Sequence, residues 1–160
     1  MNHVEHINER KHRKMVEKAQ RCVDSHVKQA MAASFIPLVS LPVVYGICAK
    51  MIVKLDKIFG IPTAKGWDSE IVQDLMVGVV AAPALLIPVL GAGVAAAYVK
   101  SIGENYAKAV ATVVGASAPQ ELSDSRFVAR QVKEELRKIR APQRDKQLAR
   151  PKNRGSNSYE

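Results

Sequence analysis

The sequence predicts an all-α fold, in which a hydrophobic helical hairpin with proline-broken helices is flanked by basic amphipathic helices. Two runs, residues 29–49 and 75–99, contain no Asp, Glu, Lys or Arg. Each run is longer than the about 20 apolar residues that a membrane-spanning helix needs. Apolar residues make up 48% of the chain and aromatic residues only 5%, which is typical of close-packed helices. The two runs are therefore predicted to pair within a hydrophobic core over 29–115, with 50–74 as an amphipathic linker.

The first element is a basic amphipathic helix over residues 1–28. Ala19, Cys22, Val23 and His26 recur at the three- and four-residue spacing of one helix face. No Gly or Pro interrupts this stretch, so the helix is expected to continue into the first apolar run.

Each apolar run contains two prolines that are five residues apart, and these are candidate helix breaks. An internal proline removes a backbone donor and kinks or breaks the helix. The alternative is that each proline begins a new helix of a soluble bundle at its first turn. The sequence leaves both interpretations open for the four residues Pro37, Pro42, Pro83 and Pro88.

Glycines in the second half of the core predict close helix packing. Small residues let helix backbones approach each other, in membranes especially. The residues expected at such crossings are Gly91, Gly93 and Gly103. In the linker, Gly60 followed by Pro62 predicts the end of an amphipathic helix.

The last helix is predicted over 120–141, again basic and amphipathic. Its apolar stripe is Val128, Val132, Leu136 and Ile139, and its other faces carry Lys and Arg. Residues 142–160 have no periodicity and are rich in Pro, Gln, Arg, Lys and Ser, which predicts a disordered basic tail.

The charge distribution predicts how a membrane-bound chain would be oriented. The net charge is +9, both ends are basic, and the segment 50–74 is neutral. Cytoplasmic segments carry an excess of Lys and Arg, so both termini are expected in the cytoplasm. Nucleic-acid binding is disfavoured because the basic segments have almost no stacking aromatic residues. The cations expected to face anionic lipid or a protein partner are Lys28, Lys50, Lys100, Arg130, Lys133, Arg137 and Lys138.

No pattern in the sequence predicts a catalytic, cofactor-binding or metal-binding site. The histidines all lie among residues 3–26 and do not form the H-E-x-x-H arrangement of a zinc site. Gly91, Gly93 and Ala96 have the spacing of a dinucleotide motif but lack the preceding strand that this motif requires. Cys22 and Cys48 are predicted to be reduced thiols. The chain is therefore not predicted to be an enzyme or to need a cofactor.

Five short segments of the core resemble a known bacterial family. These are Ile-Pro at 36–37, Met-Ile-Val-Lys at 51–54, Ile-Phe-Gly-Ile at 58–61, Ile-Pro-Val-Leu-Gly-Ala-Gly at 87–93 and Ile-Gly at 102–103. Together they resemble the YcjF-type inner-membrane proteins and the hydrophobic helical module of Era-like GTPases, a family of unknown function. The resemblance covers roughly residues 28–115. The chain departs from it by having no GTPase domain, by a Leu-Val-Ser-Leu-Pro segment after the first Ile-Pro, and by its own basic tails.

The resemblance implies a membrane-associated helical module in the bacterial inner membrane that works with a GTPase supplied in trans. With the composition, it leads to one expectation: a non-enzymatic membrane-associated anchor or adaptor. The partners expected are anionic lipid, a protein such as a GTPase, and a second copy of the chain. Two alternatives stay open, namely a soluble α-helical protein-binding module and a pore-forming or switchable membrane-inserting protein.

Overall fold

The computed structural model describes the backbone of residues 3–33, 40–62 and 88–148, and the side chains of residues 9–33, 42–62 and 93–141. These parts of the chain form four α-helices and one short 3₁₀-helix, and they contain no strand. The all-α prediction is confirmed for them. The elements are α1 (His3–Ala33), α2 (Ser40–Phe59), α3 (Pro88–Ala116), the 3₁₀-helix (Glu121–Ser123) and α4 (Ser125–Leu148).

Local sequence signals account for where the helices end. Gly60 adopts a φ of 70°, the left-handed conformation that glycine allows, and the Ile61 N–H donates to the Asp56 carbonyl oxygen at 3.1 Å. This pattern closes the C-terminus of α2. At the start of α4, the Asp124 carboxylate accepts a hydrogen bond from the Arg126 N–H at 2.8 Å, so Asp124 caps that helix.

Helix α3 lies at the centre of the bundle and contacts α1, α2 and α4. Val23 of α1 and Met51 of α2 meet at Gly103 of α3. A Cβ added at Gly103 would lie 2.7 Å from Val23 Cγ2 and 2.9 Å from Met51 Sδ. These three residues are called the central layer below.

A second contact on each helix gives its direction relative to α3. His12 of α1 lies beside Gly115, with its Cε1 atom 4.0 Å from a Cβ added there. Because residue 12 pairs with 115 and residue 23 with 103, α1 is antiparallel to α3. On α2, the Tyr106 hydroxyl donates to Asp56 Oδ1 at 2.6 Å, so α2 runs parallel to α3.

The described parts of the two apolar runs contribute to the core of this bundle. Fully or almost fully buried side chains from the runs are Ala30, Val44, Ile47, Cys48, Ala95, Ala96 and Val99. They continue the core that Met51, Ile52, Leu55, Ile102, Tyr106 and Val110 form. Among the described residues, none of the helices is both long enough and apolar enough to cross a membrane.

The predicted hydrophobic hairpin of the two runs is not seen among the described residues. Their described ends lie in α2 and α3, which run parallel, whereas the two helices of a hairpin are antiparallel. The antiparallel neighbours are instead α1 with α2, and α1 with α3. Residues 34–39 and 63–87, which hold the rest of the runs, lie outside the described part of the chain.

Two of the four predicted helix breaks prove to be helix starts. Pro88 is the first residue of α3 and Pro42 is the third residue of α2. In the first turn a proline loses no hydrogen bond, because those N–H groups have no partner within the helix. Pro37 and Pro83 lie outside the described residues.

Helix α4 extends beyond the boundary that the sequence predicts. It continues through Pro142 to Leu148, whereas the disordered tail was predicted to begin at residue 142. The residues after Pro142 are Gln, Arg, Asp, Lys, Gln and Leu, and most of these have good helix propensity. Residues 149–160 lie outside the described part of the chain.

Candidate functional site

The helix directions bring the described ends of both apolar runs to one end of the bundle. From the central layer, this end is reached by moving forward along α1 and backward along both α2 and α3. The segments that form it are 29–33, 40–49 and 88–99, and none of them contains Asp, Glu, Lys or Arg. These three segments are called the uncharged pole.

A lysine marks the edge of the uncharged pole on each of these helices. Lys28, Lys50 and Lys100 are five, one and three residues from the central layer, all in the direction of the pole. With a rise of about 1.5 Å per residue, they fall within about 6 Å of one another along the bundle axis. All three are exposed. Lys100 lies 3.9 Å from Glu104 in an exposed ion pair. These lysines are called the basic collar.

Helix α4 brings a further cation to the level of the collar. Burial raises the pKa of Tyr98, which lies two residues from Lys100 on the pole side, and the positive charge of Arg140 acts in the opposite direction. Arg140 of α4 is thus close enough to Tyr98 to affect it. The backbone of α4 then continues past the collar to Leu148, and the sequence of this segment contains Arg144, Asp145 and Lys146. The uncharged pole is therefore defined on α1, α2 and α3 alone.

Part of the uncharged pole faces outward. Met31 is 45% exposed, which makes it one of the two exposed large apolar side chains among the described residues. Tyr45 and Tyr98 are half-buried, each near the collar. Further exposed residues of the pole are Gln29, Ala32, Pro42, Gly93 and Ala97. On α1, α2 and α3 the outer surface of the pole is therefore weakly polar to apolar, and the charges of these three helices stop at its rim.

The other half of the bundle carries its charges outside and one carboxylate inside. Asp56 and Tyr106 are completely buried, and the Tyr106 hydroxyl donates to Asp56 Oδ1 at 2.6 Å. Such a short hydrogen bond to a carboxylate is charge-assisted. It joins α2 to α3 and holds their register.

The described cysteines and histidine do not form a nucleophilic pair. Cys22 Sγ lies 3.7 Å from His26 Nδ1, but the same nitrogen lies 2.7 Å from the Cys22 carbonyl oxygen. A carbonyl oxygen can only accept, so Nδ1 carries the hydrogen and cannot remove a proton from the thiol. Burial raises the pKa of Cys22, and it raises the pKa of Cys48 to about 12. Both thiols are therefore poor nucleophiles. In the part of the chain that the structure describes, no three His, Cys, Asp or Glu side chains are placed to share a metal ion.

The glycines predicted at close helix crossings differ in their surroundings. Gly103 is a true crossing, as its contacts in the central layer show. At Gly93 no close crossing is seen among the described residues, since an added Cβ would meet none of their atoms within 4 Å. The reason is that this part of α3 turns Gly93 to the exposed side. Gly91 lies in the first turn of α3, and its surroundings are outside the described residues.

The seven predicted cations separate into two places. Lys28, Lys50 and Lys100 form the collar. The other four lie on α4, where Arg130, Lys133 and Arg137 share one side of the helix. Lys138 lies on another side and its Nζ is 2.6 Å from Glu135 Oε1; this hydrogen bond raises the pKa of Lys138.

Sequence reasoning missed the Asp56–Tyr106 pair and the common level of the collar lysines. The two members of the pair are 50 residues apart, and no local pattern connects them. A weak signal existed, since Asp56 sits among Leu55, Ile58 and Phe59 in an otherwise apolar stripe. No family model, no curated protein and no solved structure matches this chain.

Proposed function

We propose that this protein is a non-enzymatic helical adaptor that attaches to an anionic membrane surface by inserting the uncharged pole into one leaflet. The observation that carries the proposal is the uncharged pole with its basic collar. The apolar end supplies attraction to lipid chains, and the lysines meet the phosphate groups at the boundary. The charged half of the bundle then stays in water, where it is available to a partner.

The dimensions of the pole suit one leaflet. The pole segment of α3 spans residues 88–99 and that of α2 spans 40–49. At about 1.5 Å per residue these segments are about 15–18 Å long. Half of the hydrocarbon core of a bilayer is about 15 Å. Insertion of the α1, α2 and α3 surface of the pole up to the collar would therefore reach the middle of the membrane without crossing it.

The basic collar attracts the protein to an anionic membrane surface, and its lysines are suited to the boundary between lipid chains and water. Each Lys near an anionic surface adds about 1 kcal/mol of binding free energy. Long lysine side chains also extend their ammonium groups from an apolar stem toward water. Tyr45 and Tyr98 are half-buried near the collar, and tyrosine is favoured where an apolar region meets a wet one.

The family resemblance extends this proposal to a location and a partner. It favours the cytoplasmic face of the bacterial inner membrane, with a GTPase supplied in trans. Attachment through one leaflet leaves both ends of the chain on the cytoplasmic side. Co-purification of a GTPase with the membrane-bound protein, and its absence when the pole is charged, would test that extension.

A matched pair of substitutions on α1 tests the membrane contact. Met31 lies in the pole and is 45% exposed, whereas Val16 lies in the charged half and is 43% exposed. We expect Met31→Asp to weaken binding about tenfold, which corresponds to about 1.4 kcal/mol, because a carboxylate enters the lipid boundary. Val16→Asp should change binding less than about twofold. The measurement is flotation with vesicles of phosphatidylglycerol and phosphatidylcholine, compared with phosphatidylcholine alone.

Three outcomes would contradict the proposal. These are equal effects of the two substitutions, equal flotation with both vesicle types, and no flotation of the unmodified protein. The last would favour a protein-binding module, which is supported by the burial of Val44, Cys48 and Val99 inside the bundle. Release of a dye from anionic vesicles would instead indicate a pore-forming protein.

A further inference from the structure

One side of α4 carries a row of cations at heptad spacing. The residues follow one another at steps of four, three, four and three positions, which keeps them on one side of a helix. Arg126, Arg130 and Arg137 are exposed, and Lys133 and Arg140 are half-buried. This set, Arg126, Arg130, Lys133, Arg137 and Arg140, is called the cationic row.

The acidic residues of the same helix are fewer than the cations of the row. Glu134 lies beside the row, between Arg130 and Arg137, and lines the groove along it, whereas Glu135 is engaged with Lys138 at 2.6 Å. Arg130 and Arg137 form no ion pair with any residue that the structure describes. Arg130 and Arg137 therefore keep their charges available to a ligand, and the row of five cations stays positive overall beside the single carboxylate of Glu134.

The opposite face of α4 holds the row in place. Val128, Val132 and Leu136 are buried in the core of the bundle, and α4 packs on α3. The row is thus fixed along a straight line of about 21 Å, from the helical rise over 14 residues. A shallow groove of about 290 Å³ lies along it, lined by Ala129, Arg130, Lys133, Glu134 and Arg137.

We infer that the cationic row is the docking site for an acidic helix of a partner protein that carries Asp or Glu at heptad spacing. The inference rests on the proposed function, because it identifies the partner-facing surface of the adaptor. A second helix alongside α4 would present carboxylates at the same spacing as the cations. Four of the five cations are arginine, whose planar fork matches a carboxylate with two hydrogen bonds.

The direction of the row argues against a bilayer as its ligand. Helix α4 runs along α3, since Arg140 acts on Tyr98 near the collar and the chain between α3 and α4 spans only residues 117–124. With the pole in the membrane, the row extends away from the lipid surface. Only its Arg140 end would then reach the headgroups.

The row also lacks the features of a nucleic-acid site. It contains no aromatic side chain on which a base could stack. The phosphates of a double helix follow a curved path, whereas the row is straight over about 21 Å. A straight acidic helix fits the row over its full length.

Designed peptides provide the probe for this site. One helical peptide of about 20 residues, about 30 Å long and so long enough to cover the whole row, carries glutamates at alternating three- and four-residue steps. A second peptide has the same composition, with the glutamates spread evenly around the helix. We expect calorimetry to show one-to-one binding of the first peptide, about tenfold tighter than binding of the second.

Two matched variants identify the surface. In Arg130→Gln/Lys133→Gln/Arg137→Gln the affinity for the first peptide should fall about tenfold. Arg130→Gln/Arg137→Gln keeps the test valid if loss of the half-buried Lys133 harms folding. The control Arg10→Gln/Lys14→Gln/Lys18→Gln removes equal charge from the exposed side of α1, and its affinity should stay within about twofold.

Several results would overturn the inference. Equal affinity for the two peptides, or equal losses in the α1 and α4 variants, would show attraction to net charge alone. Tighter binding of a short double-stranded RNA through the same three residues would identify nucleic acid as the ligand. The triple α4 variant should still float with anionic vesicles, whereas Met31→Asp should bind the peptide normally. Failure of the docking site and failure of the membrane proposal are therefore distinguishable.

Discussion

The two halves of the bundle have similar interiors and different surfaces. In the uncharged pole, Val44, Ile47 and Val99 are buried, as Leu55 and Val110 are in the charged half. What changes at the collar is the outside, because the charges of α1, α2 and α3 stop at Lys28, Lys50 and Lys100. The charged half also buries a carboxylate, Asp56, whereas the buried described side chains of the pole are apolar or a thiol.

Because of this difference, we expect folding stability and membrane attachment to depend on different residues. The pole contributes to a described core that is continuous across both halves, and its outward-facing side chains lie outside that core. Its outer surface can therefore be altered without unfolding the protein, and the hydrogen bond in the charged half can be removed without altering that surface. Substitutions in the core, in the charged half and in the pole should accordingly have separable effects.

The largest stability effect is expected at the central layer, where the two halves meet. Gly103→Ala places a Cβ 2.7 Å from Val23 Cγ2 and 2.9 Å from Met51 Sδ. We expect the free energy of unfolding to fall by about 2 kcal/mol, because neighbouring helices must move apart. The measurement is urea denaturation followed by circular dichroism.

Gly93→Ala is the matched control for that substitution. Its Cβ meets no described atom within 4 Å, and alanine stabilises a helix interior by up to about 1 kcal/mol relative to glycine. The two substitutions should therefore have opposite signs. A stabilising Gly103→Ala would show that α1, α2 and α3 do not cross as closely as the structure has them.

The next effect concerns the buried polar pair of the charged half. Tyr106→Phe removes the hydroxyl that donates to Asp56 Oδ1 at 2.6 Å. We expect a loss of about 2 kcal/mol in unfolding free energy, because a buried carboxylate loses a hydrogen bond. A double-mutant cycle with Asp56→Asn should give a coupling energy of about 1 kcal/mol or more. Additive effects would show that the pair does not join α2 to α3, and vesicle flotation should be unchanged in Tyr106→Phe.

The smallest expected effect is a pH dependence of the unfolding free energy that arises from Cys48 in the pole. Burial raises the pKa of Cys48 to about 12 in the folded protein, above its ordinary value in the unfolded chain. The stabilisation that comes from burying the neutral thiol is fully present below the pKa of Cys48 in the unfolded chain. It is lost as the pH rises toward the pKa of Cys48 in the folded protein. Between pH 8 and pH 10 we expect the unfolding free energy to fall by about 1 kcal/mol from this group. Denaturation at both pH values measures it.

Cys48→Ala isolates that contribution. The variant should show a smaller fall in stability between pH 8 and pH 10, since alanine does not titrate. Cys22, whose pKa burial also raises, remains in the variant and contributes a part of the slope. An unchanged slope would mean that Cys48 is not desolvated in the pole, and the pole would then be less well packed than the charged half.

Local patterns predicted much of the helical structure correctly. The stripe of Val128, Val132 and Leu136 is buried, and Gly60 ends α2. The first helix runs without interruption into the apolar run, as the absence of Gly and Pro indicates. These features depend on residues within one or two turns of each other, so helical periodicity and backbone preference are sufficient to find them.

Local patterns could not decide what the apolar runs pack against. Their lengths suit a membrane span, but Val44 and Val99 belong to one buried core cluster together with Val23 of α1. A run of apolar residues is equally compatible with both environments, since each removes the side chains from water. The membrane-spanning hairpin was therefore a reasonable prediction from composition, and the described helices do not show it.

The sequence by itself determined the all-α class, where the charges stop and which face of α4 is apolar, and it left open whether the prolines break or begin helices. The tertiary structure decided that α2 runs parallel to α3, that Lys28, Lys50 and Lys100 reach one level, and that Tyr106 donates to Asp56. The physical reason is the distance along the chain. Helix formation depends on hydrogen bonds four residues apart. The buried pair instead needs segments 50 residues apart to meet in a particular direction, and the collar needs segments 22 to 72 residues apart to do so.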